Sequence, residues 1–342
     1  MPSLLIYIPT FNRPKNLERT LESLSPQLLS HPDVDVFVSD NASTEDLLPI
    51  ILKFQGIHPR LDYARRNANV GMSANIMGGF EACQSDWLWL LSDDDYPMPD
   101  CIATIKAEIR KHEDAAWINL SMPGDKSIRP EKHSSSLTVL AREKDFGSLM
   151  FISTNIYNHD KLKDSLQHGW NALSTYCPHY AAGLHAIKRG AIIVFSDQQI
   201  IKAGTPTEGD IWNRNLTIVT AMTGLLALPW WTHQERRLLG RSIARNQSLM
   251  TGCFHFAEWL KNNMERRSVL FIARNYFFMH GSLRRSFGKR IAAAGLYLLL
   301  FLLGSWTRHP LSWIIRLKLT SYKLLRKRTK AAIPEVTTPH LG

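Results

Sequence analysis

The amino-acid sequence predicts an α/β fold in which a mostly parallel sheet is covered by helices. Short apolar runs alternate with stretches of helical periodicity over roughly residues 3–120, in the order β-α-β-α-β-α-β. Three of the predicted strands end in polar clusters, and the carboxyl ends of parallel strands meet at one edge of a sheet. The sequence therefore predicts a ligand site at that edge.

Each element is predicted from its apolar spacing and from the residues that end it. The first strand, 3–8, runs into Pro9, and the leucines of the following helix recur at helical spacing. Asn12 is expected to cap this helix and Pro14 to lie in its first turn. Residues 121–136, rich in Pro, Gly, Ser and charge, are expected to form a loop. The other predicted strands are 34–38, 61–64, 87–91 and 115–120, and the other predicted helices are 47–54, 75–83 and 99–112.

Three consecutive carboxylates, Asp93, Asp94 and Asp95, follow the fourth predicted strand. Adjacent like charges repel, and holding them near an apolar strand costs free energy unless a cation compensates them. A hard divalent cation with oxygen ligands is the natural candidate. The tripeptide alone would be better explained as a solvated acidic turn. The polar clusters at Thr10–Arg13 and Asp40–Ser43 should meet it at the same sheet edge, and this convergence favours a site.

The positive charge of the chain is concentrated near its C-terminus, and several common sequence motifs are absent. The 342 residues carry a net charge of +11, but residues 281–330 hold twelve Lys or Arg and no acidic residue. The rest of the chain has 29 basic and 30 acidic residues, so the basic character is local. The sequence contains neither a dinucleotide-binding fingerprint nor a P-loop, and it begins without a recognisable signal peptide. A cytosolic location is therefore expected.

Cysteine and histidine spacing gives no sign of a transition-metal site. The four cysteines form no CxxC pair, which argues against a zinc site or a disulfide framework and suits a reducing compartment. The conspicuous histidines lack metal-binding spacing and are expected at structural or surface positions. These histidines are His179, His185, His233 and His255.

The basic residues near the C-terminus lie beside apolar ones. Residues 291–306 are apolar, and as a helix they would be about 24 Å long, short of the roughly 30 Å hydrocarbon core. Residues 284–330 are therefore expected to attach to an anionic membrane surface. A buried helix, a single membrane span and nucleic-acid binding are the alternatives. Basic flanks on both sides disfavour the span, and the apolar neighbours disfavour nucleic acid.

Four short motifs follow predicted strands in this order: Pro9-Thr10-Phe11-Asn12-Arg13, Ser39-Asp40-Asn41-Ala42-Ser43, Asn69-x-Gly71-x-x-x-Asn75 and Leu91-Ser92-Asp93-Asp94-Asp95. Together they resemble the motifs of family 2 glycosyltransferases, which have the Rossmann-like GT-A fold. The resemblance is nearest to bacterial enzymes of O-antigen and other surface polysaccharide assembly, including abequosyltransferase-like sequences. It covers residues 3–120 well and 121–250 loosely. It implies a hexosyltransferase-type enzyme acting on a nucleotide-sugar donor and a glycan acceptor that is lipid-linked.

The resemblance also implies a role for each matching residue of the donor site. Asp40 would hydrogen-bond the nucleotide base while Asn41 shapes the turn. Asn69 and Asn75 would support the nucleotide and the donor sugar. The remaining residues of the nucleotide pocket would be Pro9, Thr10, Arg13 and Asp93.

A metal cofactor, Mg²⁺ or Mn²⁺, is implied at the acidic cluster, with Asp94 and Asp95 as ligands. A bridging cation would stabilise the charge that develops on the diphosphate leaving group. The family usually has Asp-x-Asp-Asp here, and alignment on Pro99 places Ser92 where the first Asp would be. The metal assignment is therefore to the cluster and not to one residue.

The general base is implied by a second acidic motif, Glu208-Gly209-Asp210. Inverting members of the family use a carboxylate near a later helix N-terminus, and Asp210 resembles that position, with Glu208 as the alternate. The family more often has Gly-Glu-Asp in this order. Without the resemblance, both carboxylates would be explained by the helix dipole.

The resulting domain prediction has three parts. Residues 1–250 would form the GT-A domain, with a nucleotide-binding half at about 1–120 and an acceptor half at about 121–250. Residues 251–330 would be a helical, basic, membrane-associating region, followed by a disordered tail at 331–342. The protein would lie on the inner face of the bacterial cytoplasmic membrane. The alternatives are a polyprenyl-phosphate glycosyltransferase and a catalytically inactive, nucleotide-binding scaffold of a polysaccharide assembly complex.

Overall fold

The computed structural model of the protein describes residues 2–121, 131–140, 149–202 and 224–246, together with the single residues 273 and 295. The chain divides into two compact units, Met1–Ser248 and Leu249–Gly342. The fold described below is that of the first unit. Apart from residues 273 and 295, the predicted membrane-associating region 251–330 and the predicted tail 331–342 lie outside the described residues.

The first unit alternates strands and helices along the chain. The strands are β1 (Leu4–Thr10), β2 (Asp35–Asp40), β3 (Leu61–Arg65), β4 (Trp87–Leu90), β5 (Tyr96–Pro97), β6 (Trp117–Asn119), β7 (Lys132–Ser134), β8 (Asn155–Asn158), β9 (Ile193–Phe195) and β10 (Ile201–Lys202). The helices are α1 (Pro14–Ser30), α2 (Leu48–Gln55), α3 (Met72–Ala82), α4 (Cys101–Lys111), α5 (Leu137–Leu140), α6 (His159–Leu162), α7 (Leu166–Trp170), α8 (Pro178–Lys188) and α9 (His233–Asn246).

The main sheet has eight strands in the order β3-β2-β1-β4-β8-β6-β9-β7. Strands β3, β2, β1 and β4 are parallel, and β8 runs antiparallel between β4 and β6. Strands β6 and β9 are parallel, and β7 is an antiparallel edge strand. Strands β5 and β10 form a separate antiparallel pair. The predicted α/β fold with a mostly parallel sheet is confirmed.

The centre of the sheet is apolar on both faces, as expected of parallel strands that helices cover. Ile6 and Trp89, which face one side of the sheet, and Leu88, which faces the other, are completely buried. Helix α3 packs closely on β1 and β4 because Gly79 has no side chain. A Cβ atom at Gly79 would lie 2.8 Å from Cδ2 of Leu90. The leucines that predicted α1 are all buried: Leu17, Leu21, Leu24 and Leu28.

Two local expectations are wrong. Arg13, not Asn12, occupies the N-cap position of α1, and Asn12 instead has a left-handed backbone with φ of 54°. The Oδ1 atom of Asn12 accepts a hydrogen bond from the backbone N–H of Thr44 at 2.7 Å. The second error concerns 121–136, predicted as a loop, because this range contains β7. Its exposed Lys132 and His133 show no apolar alternation, since an edge strand buries little of its surface.

None of the helices in the ranges that the structure describes is long and apolar enough to cross a membrane. The apolar segment 291–306 falls outside those ranges except for residue 295.

Helix α8 carries a histidine into the protein interior. His179 is 1% exposed, and its Nε2 donates to the carbonyl oxygen of Met150 at 3.2 Å. Among the described residues, its Nδ1 has no hydrogen-bond partner. Burial lowers the pKa of His179 to about 4. The folded protein therefore keeps His179 neutral under conditions in which the unfolded chain protonates it.

Because the unfolded chain binds a proton that folded His179 does not, stability should fall as the pH falls from about 6.5 towards 4. Between pH 7 and pH 5, the wild-type protein should lose about 2 kcal/mol more unfolding free energy than His179→Gln, whose amide can still donate to Met150. Urea unfolding at the two pH values measures this difference. His233→Gln, a change at an exposed histidine, should keep the wild-type pH slope. Equal slopes in His179→Gln and the wild type would contradict the prediction.

Candidate functional site

The ends of strands β1, β2 and β4 converge at one edge of the sheet. Thr10 pairs in register with Asp40, and the N–H of Asn41 donates to the carbonyl oxygen of Thr10 at 2.9 Å. On the other side of β1, the N–H of Leu91 donates to the carbonyl oxygen of Tyr7 at 2.9 Å. The three carboxylates that follow, Asp93–Asp95, which we call the acidic turn, therefore lie at the same edge. The polar clusters that the sequence placed at strand ends therefore lie together.

Asp93 anchors the acidic turn from inside the protein. Its side chain is buried, and its two oxygens accept hydrogen bonds from Oγ1 of Thr10 at 2.7 Å and from Nη1 of Arg13 at 3.2 Å. Burial raises the pKa of Asp93 to about 6, although the Arg13 charge and the Thr10 hydrogen bond oppose this shift. The surrounding groups thus compensate the negative charge only in part.

The other two carboxylates have different environments. Asp94 is 33% exposed at its side chain, and its Oδ2 lies 3.2 Å from the same Nη1 of Arg13. Asp95 is buried, and its Oδ2 accepts a hydrogen bond from Oγ of Ser153 at 2.7 Å. Asp94 is therefore the carboxylate of the turn that is most open to a ligand from solvent.

The turn is held from two directions by hydroxyl groups that the sequence analysis did not single out. On α1, Oγ1 of Thr20 donates to the carbonyl oxygens of Asp93 at 2.9 Å and Asp95 at 3.2 Å. Ser153 also accepts the N–H of Ser92 at its Oγ, at 2.9 Å. Ser153 lies in a 3₁₀ turn just before β8, a region with no regular apolar pattern. Only the pairing of β8 with β4 brings it to the acidic turn.

Asp40 lies beneath the turn that follows β2. It is completely buried, and its Oδ1 accepts the N–H of Ser43 at 2.8 Å. Its Oδ2 accepts the hydroxyl of Tyr63 at 3.0 Å and lies 3.7 Å from Nε of Arg65. Burial and this hydrogen bond to Asp40 raise the pKa of Tyr63 to about 12. Both oxygens of Asp40 are thus engaged within the chain.

The three asparagines predicted to contribute to the donor site lie between the turn that follows β2 and the first turns of α3. Nδ2 of Asn41 donates to Oδ1 of Asn69 at 2.8 Å, and Oδ1 of Asn41 accepts the N–H of Val70 at 3.0 Å. Asn69 is exposed. Asn75 is buried, and its Oδ1 accepts from Oγ of Ser39 at 2.7 Å and from Nε of Arg66 at 3.0 Å. Asn69 can therefore meet a ligand directly, whereas Asn75 supports the wall behind it.

The remaining predicted residues divide into two groups. Pro9 is the penultimate residue of β1, where it pairs with Ser39, and Phe11 beside the site is 37% exposed. The predicted base, Asp210, and its alternate, Glu208, lie outside the described residues. The described residues are therefore those for which the resemblance implied contact with the donor and the metal, without the implied general base.

The acidic turn fits a hard divalent cation. Its donor set consists of carboxylate oxygens, which Mg²⁺ and Mn²⁺ favour over nitrogen or sulfur. The raised pKa of Asp93 shows that negative charge at the turn remains under-compensated. A cation beside Asp94 would lie at the exposed side of this charge.

Two bacterial sugar transferases are similar to this chain in sequence. Abequosyltransferase RfbV of Salmonella typhimurium is 28% identical over 108 residues, 31% of this chain and 32% of that protein. The GalNAc(5)-diNAcBac-PP-undecaprenol beta-1,3-glucosyltransferase of Campylobacter jejuni is 28% identical over 106 residues, 31% of this chain and 34% of that protein. The chain thus spans about a third of the length of these two relatives.

The fold is shared with a solved structure, S. aureus TarS 1-349 in complex with UDP-GlcNAc. The TM-score is 0.63 at 14% sequence identity, covering 88% of this chain and 90% of that one. The model of glycosyl transferase family 2 matches residues 5–187, which is more than half of the chain. The resemblance found in the sequence motifs is confirmed: this chain belongs to glycosyl transferase family 2.

Proposed function

We propose that this protein transfers a sugar from a nucleotide-sugar donor to a glycan acceptor, with inversion at the anomeric carbon. The observation that carries the proposal is the convergence of three strand ends on Asp93, Asp94 and Asp95, with Arg13 in contact with the first two. Carboxylates arranged in this way can hold a divalent cation and, through it, a diphosphate. The family assignment supports the reaction class, and the names of the two relatives support a role in bacterial surface polysaccharide assembly.

The donor nucleotide would occupy the edge formed by the turns after β1 and β2. The exposed ring of Phe11 offers a face on which a base can stack. Asp40 would shape the nucleotide pocket mainly by holding the turn after β2 in place. A direct hydrogen bond from the base to Asp40 would have to replace the one from Ser43 or from Tyr63. Asn41 and Asn69 would present polar groups at the rim of the same edge.

The acidic turn would hold Mg²⁺ or Mn²⁺, with Asp94 as the principal ligand and Asp95 beside it. When bound, the cation offsets the negative charge that develops on the leaving diphosphate. The chain's own residues keep the turn in place for this. Thr10 fixes the carboxylate of Asp93, and Ser153 fixes that of Asp95.

The acceptor would be activated by Asp210, with Glu208 as the alternate. The base takes the proton of an acceptor hydroxyl and must come within about 3 Å of it. The acceptor oxygen then forms its bond to the anomeric carbon while the bond to the diphosphate oxygen on the opposite face breaks. Attack from the opposite face inverts the configuration of the sugar.

Nucleotide binding should depend on metal. We expect one nucleoside diphosphate from UDP, GDP, TDP, CDP and ADP to raise the thermal unfolding midpoint in the presence of Mn²⁺ but not in its absence. Ligand at a hundredfold excess over its dissociation constant should add about 2.7 kcal/mol to the unfolding free energy. UDP is tested first because a protein of the same fold binds UDP-GlcNAc. Differential scanning fluorimetry measures the shift.

Asp94→Asn should abolish the Mn²⁺-dependent part of that shift. Asp160→Asn is the matched control, because the Asp160 side chain is 77% exposed and lies on α6. A shift that survives in Asp94→Asn would contradict the assignment of the principal ligand. No Mn²⁺-dependent shift for any of the nucleotides at millimolar concentration would contradict the proposed metal-dependent donor site.

The general base should be needed for turnover but not for donor binding. We expect Asp210→Asn to lower turnover by about 10²- to 10⁴-fold while leaving the donor-induced thermal shift intact. Glu208→Gln is the matched control and should retain most of the activity. Near-normal turnover by Asp210→Asn would exclude Asp210, and loss in Glu208→Gln alone would transfer the role to Glu208.

The same assay distinguishes the two enzyme alternatives by their acceptors. A polyprenyl diphosphate that already carries a first sugar should accept the donor sugar, as the name of the Campylobacter jejuni relative suggests for that protein. Bare polyprenyl phosphate should not. Turnover with the bare lipid alone would make the protein a polyprenyl-phosphate glycosyltransferase.

We also propose that residues 284–330 attach the protein to the inner face of the cytoplasmic membrane. Twelve basic residues and no acidic one between 281 and 330, interleaved with apolar residues, suit an anionic lipid surface. A chain ending at His280 should sediment less with vesicles containing anionic lipid than the full chain does, and added salt should weaken the full chain's binding. Equal sedimentation of the two chains would exclude the attachment.

A further inference from the structure

A second cluster of metal-ligating side chains lies where α4 meets the edge strand β7. His112 directly follows α4, and Glu131 directly precedes β7, which contains His133. Glu131 and His133 are two residues apart on an extended chain, so their side chains share a face. That face lies against His112, whose ring centroid is 4.9 Å from the ring centroid of His133.

The spacing of the polar atoms matches that of ligands around one ion. Nε2 of His112 lies 3.5 Å from Oε2 of Glu131, and Nε2 of His133 lies 3.4 Å from Oε1 of the same residue. One ligand atom from each of the three side chains can be chosen so that all lie within 4.8 Å of one another. Two ligands of a tetrahedral zinc ion, each 2.0–2.1 Å from the metal, are about 3.3–3.4 Å apart. The two histidine–glutamate separations are close to this value, each through a different oxygen of Glu131, and binding of one ion would draw the half-exposed side chain of His133 closer to His112.

Buried polar atoms aimed into the cluster provide an independent observation. The side chain of His112 is 2% exposed, and within the described residues its Nε2 has no hydrogen-bond partner. The same holds for Oε2 of Glu108, whose side chain is 9% exposed and which lies 3.7 Å from that Nε2. Buried polar atoms are normally hydrogen-bonded, so both atoms call for a partner. A cation between Glu108, Glu131 and the two histidines would satisfy them.

This cluster is separate from the acidic turn. Strand β8 runs antiparallel to both β4 and β6, so β4 and β6 run in the same direction. The acidic turn follows the carboxyl end of β4, whereas His112 precedes the amino end of β6. Glu131 and His133 belong to the edge strand β7 and the residue before it, and β8, β6 and β9 lie between β7 and β4. The two sets of ligands therefore belong to strands about 19 Å apart across the sheet.

We propose that His112, Glu131 and His133 bind a transition-metal cation such as Zn²⁺, with Glu108 available as a fourth ligand. Imidazole nitrogen with carboxylate oxygen is a donor set that zinc uses. Lys111 contacts Oε2 of Glu131 and holds that carboxylate in the absence of the ion. Metal binding would thus replace the ion pair between Lys111 and Glu131 with metal–ligand bonds that link the end of α4 to the edge strand β7.

Isothermal titration of the tag-free full chain with ZnCl₂ tests the proposal. One Zn²⁺ should bind per chain, and His133→Ala should weaken the affinity at least about tenfold. His133 is chosen because its side chain is 48% exposed, so its removal leaves the core intact. His233→Ala, which removes an exposed histidine on α9, should bind as the wild type does. Lys111→Met should bind Zn²⁺ more tightly, because it removes the cation that competes for Glu131.

A second measurement separates this site from the acidic turn. Asp94→Asn should retain the wild-type Zn²⁺ affinity that His133→Ala weakens, and Zn²⁺ should raise the thermal midpoint of Asp94→Asn by more than that of His133→Ala. Wild-type affinity in His133→Ala, loss of binding in Asp94→Asn, or no binding to the wild type at micromolar Zn²⁺ would each overturn the proposal.

Discussion

The buried negative charge of Asp93 is the constraint on which the turns at the carboxyl ends of β1, β2 and β4 depend. A carboxylate removed from water loses several kcal/mol of solvation unless other groups replace it. Here those groups come from two different elements, Thr10 at the end of β1 and Arg13 at the start of α1. Hydrogen bonds to charged groups contribute about 1.5–3 kcal/mol each, so they offset much of the cost. The pKa of about 6 shows that part of the cost remains, and a cation near the turn would reduce it.

The turns beside this carboxylate are strained and hold each other in place. Asn12 and Ala42 both have left-handed backbones, with φ of 54° and 63°, which costs roughly 1–3 kcal/mol per non-glycine residue. The N–H of Asn12 donates to Oγ of Ser43 at 2.9 Å, and Oδ1 of Asn12 accepts the N–H of Thr44. Each turn thus stabilises the unfavourable conformation of the other. An edge fixed in this way can present polar groups to a ligand with little reorganisation on binding.

The parallel half of the fold and the meeting of the strand ends could be predicted from the sequence, because both follow from local patterns. An apolar run such as 87–91 marks a buried strand, and the polar residues after it mark its carboxyl end. The contribution of Ser153 could not be predicted, since it depends on β8 inserting antiparallel between β4 and β6. That pairing joins distant parts of the chain and leaves no periodic signal. His112 and His133 were missed for the same reason, because an edge strand, not sequence spacing, brings them together.

The chemistry of the two clusters, more than their position, decides what each can bind. The acidic turn offers only carboxylate oxygens, and the exposed side chain of Asp94 suits hard cations that keep part of their water shell. Beside the edge strand β7, the buried Nε2 of His112 offers a softer donor that Mg²⁺ avoids and Zn²⁺ favours. Strands β8, β6 and β9 lie between β4 and β7, so about 19 Å of sheet separates the strands that carry the two clusters. One domain thus offers an oxygen-only donor set in the turn after β4 and a mixed nitrogen and oxygen donor set beside β7, and these two sets favour different cations.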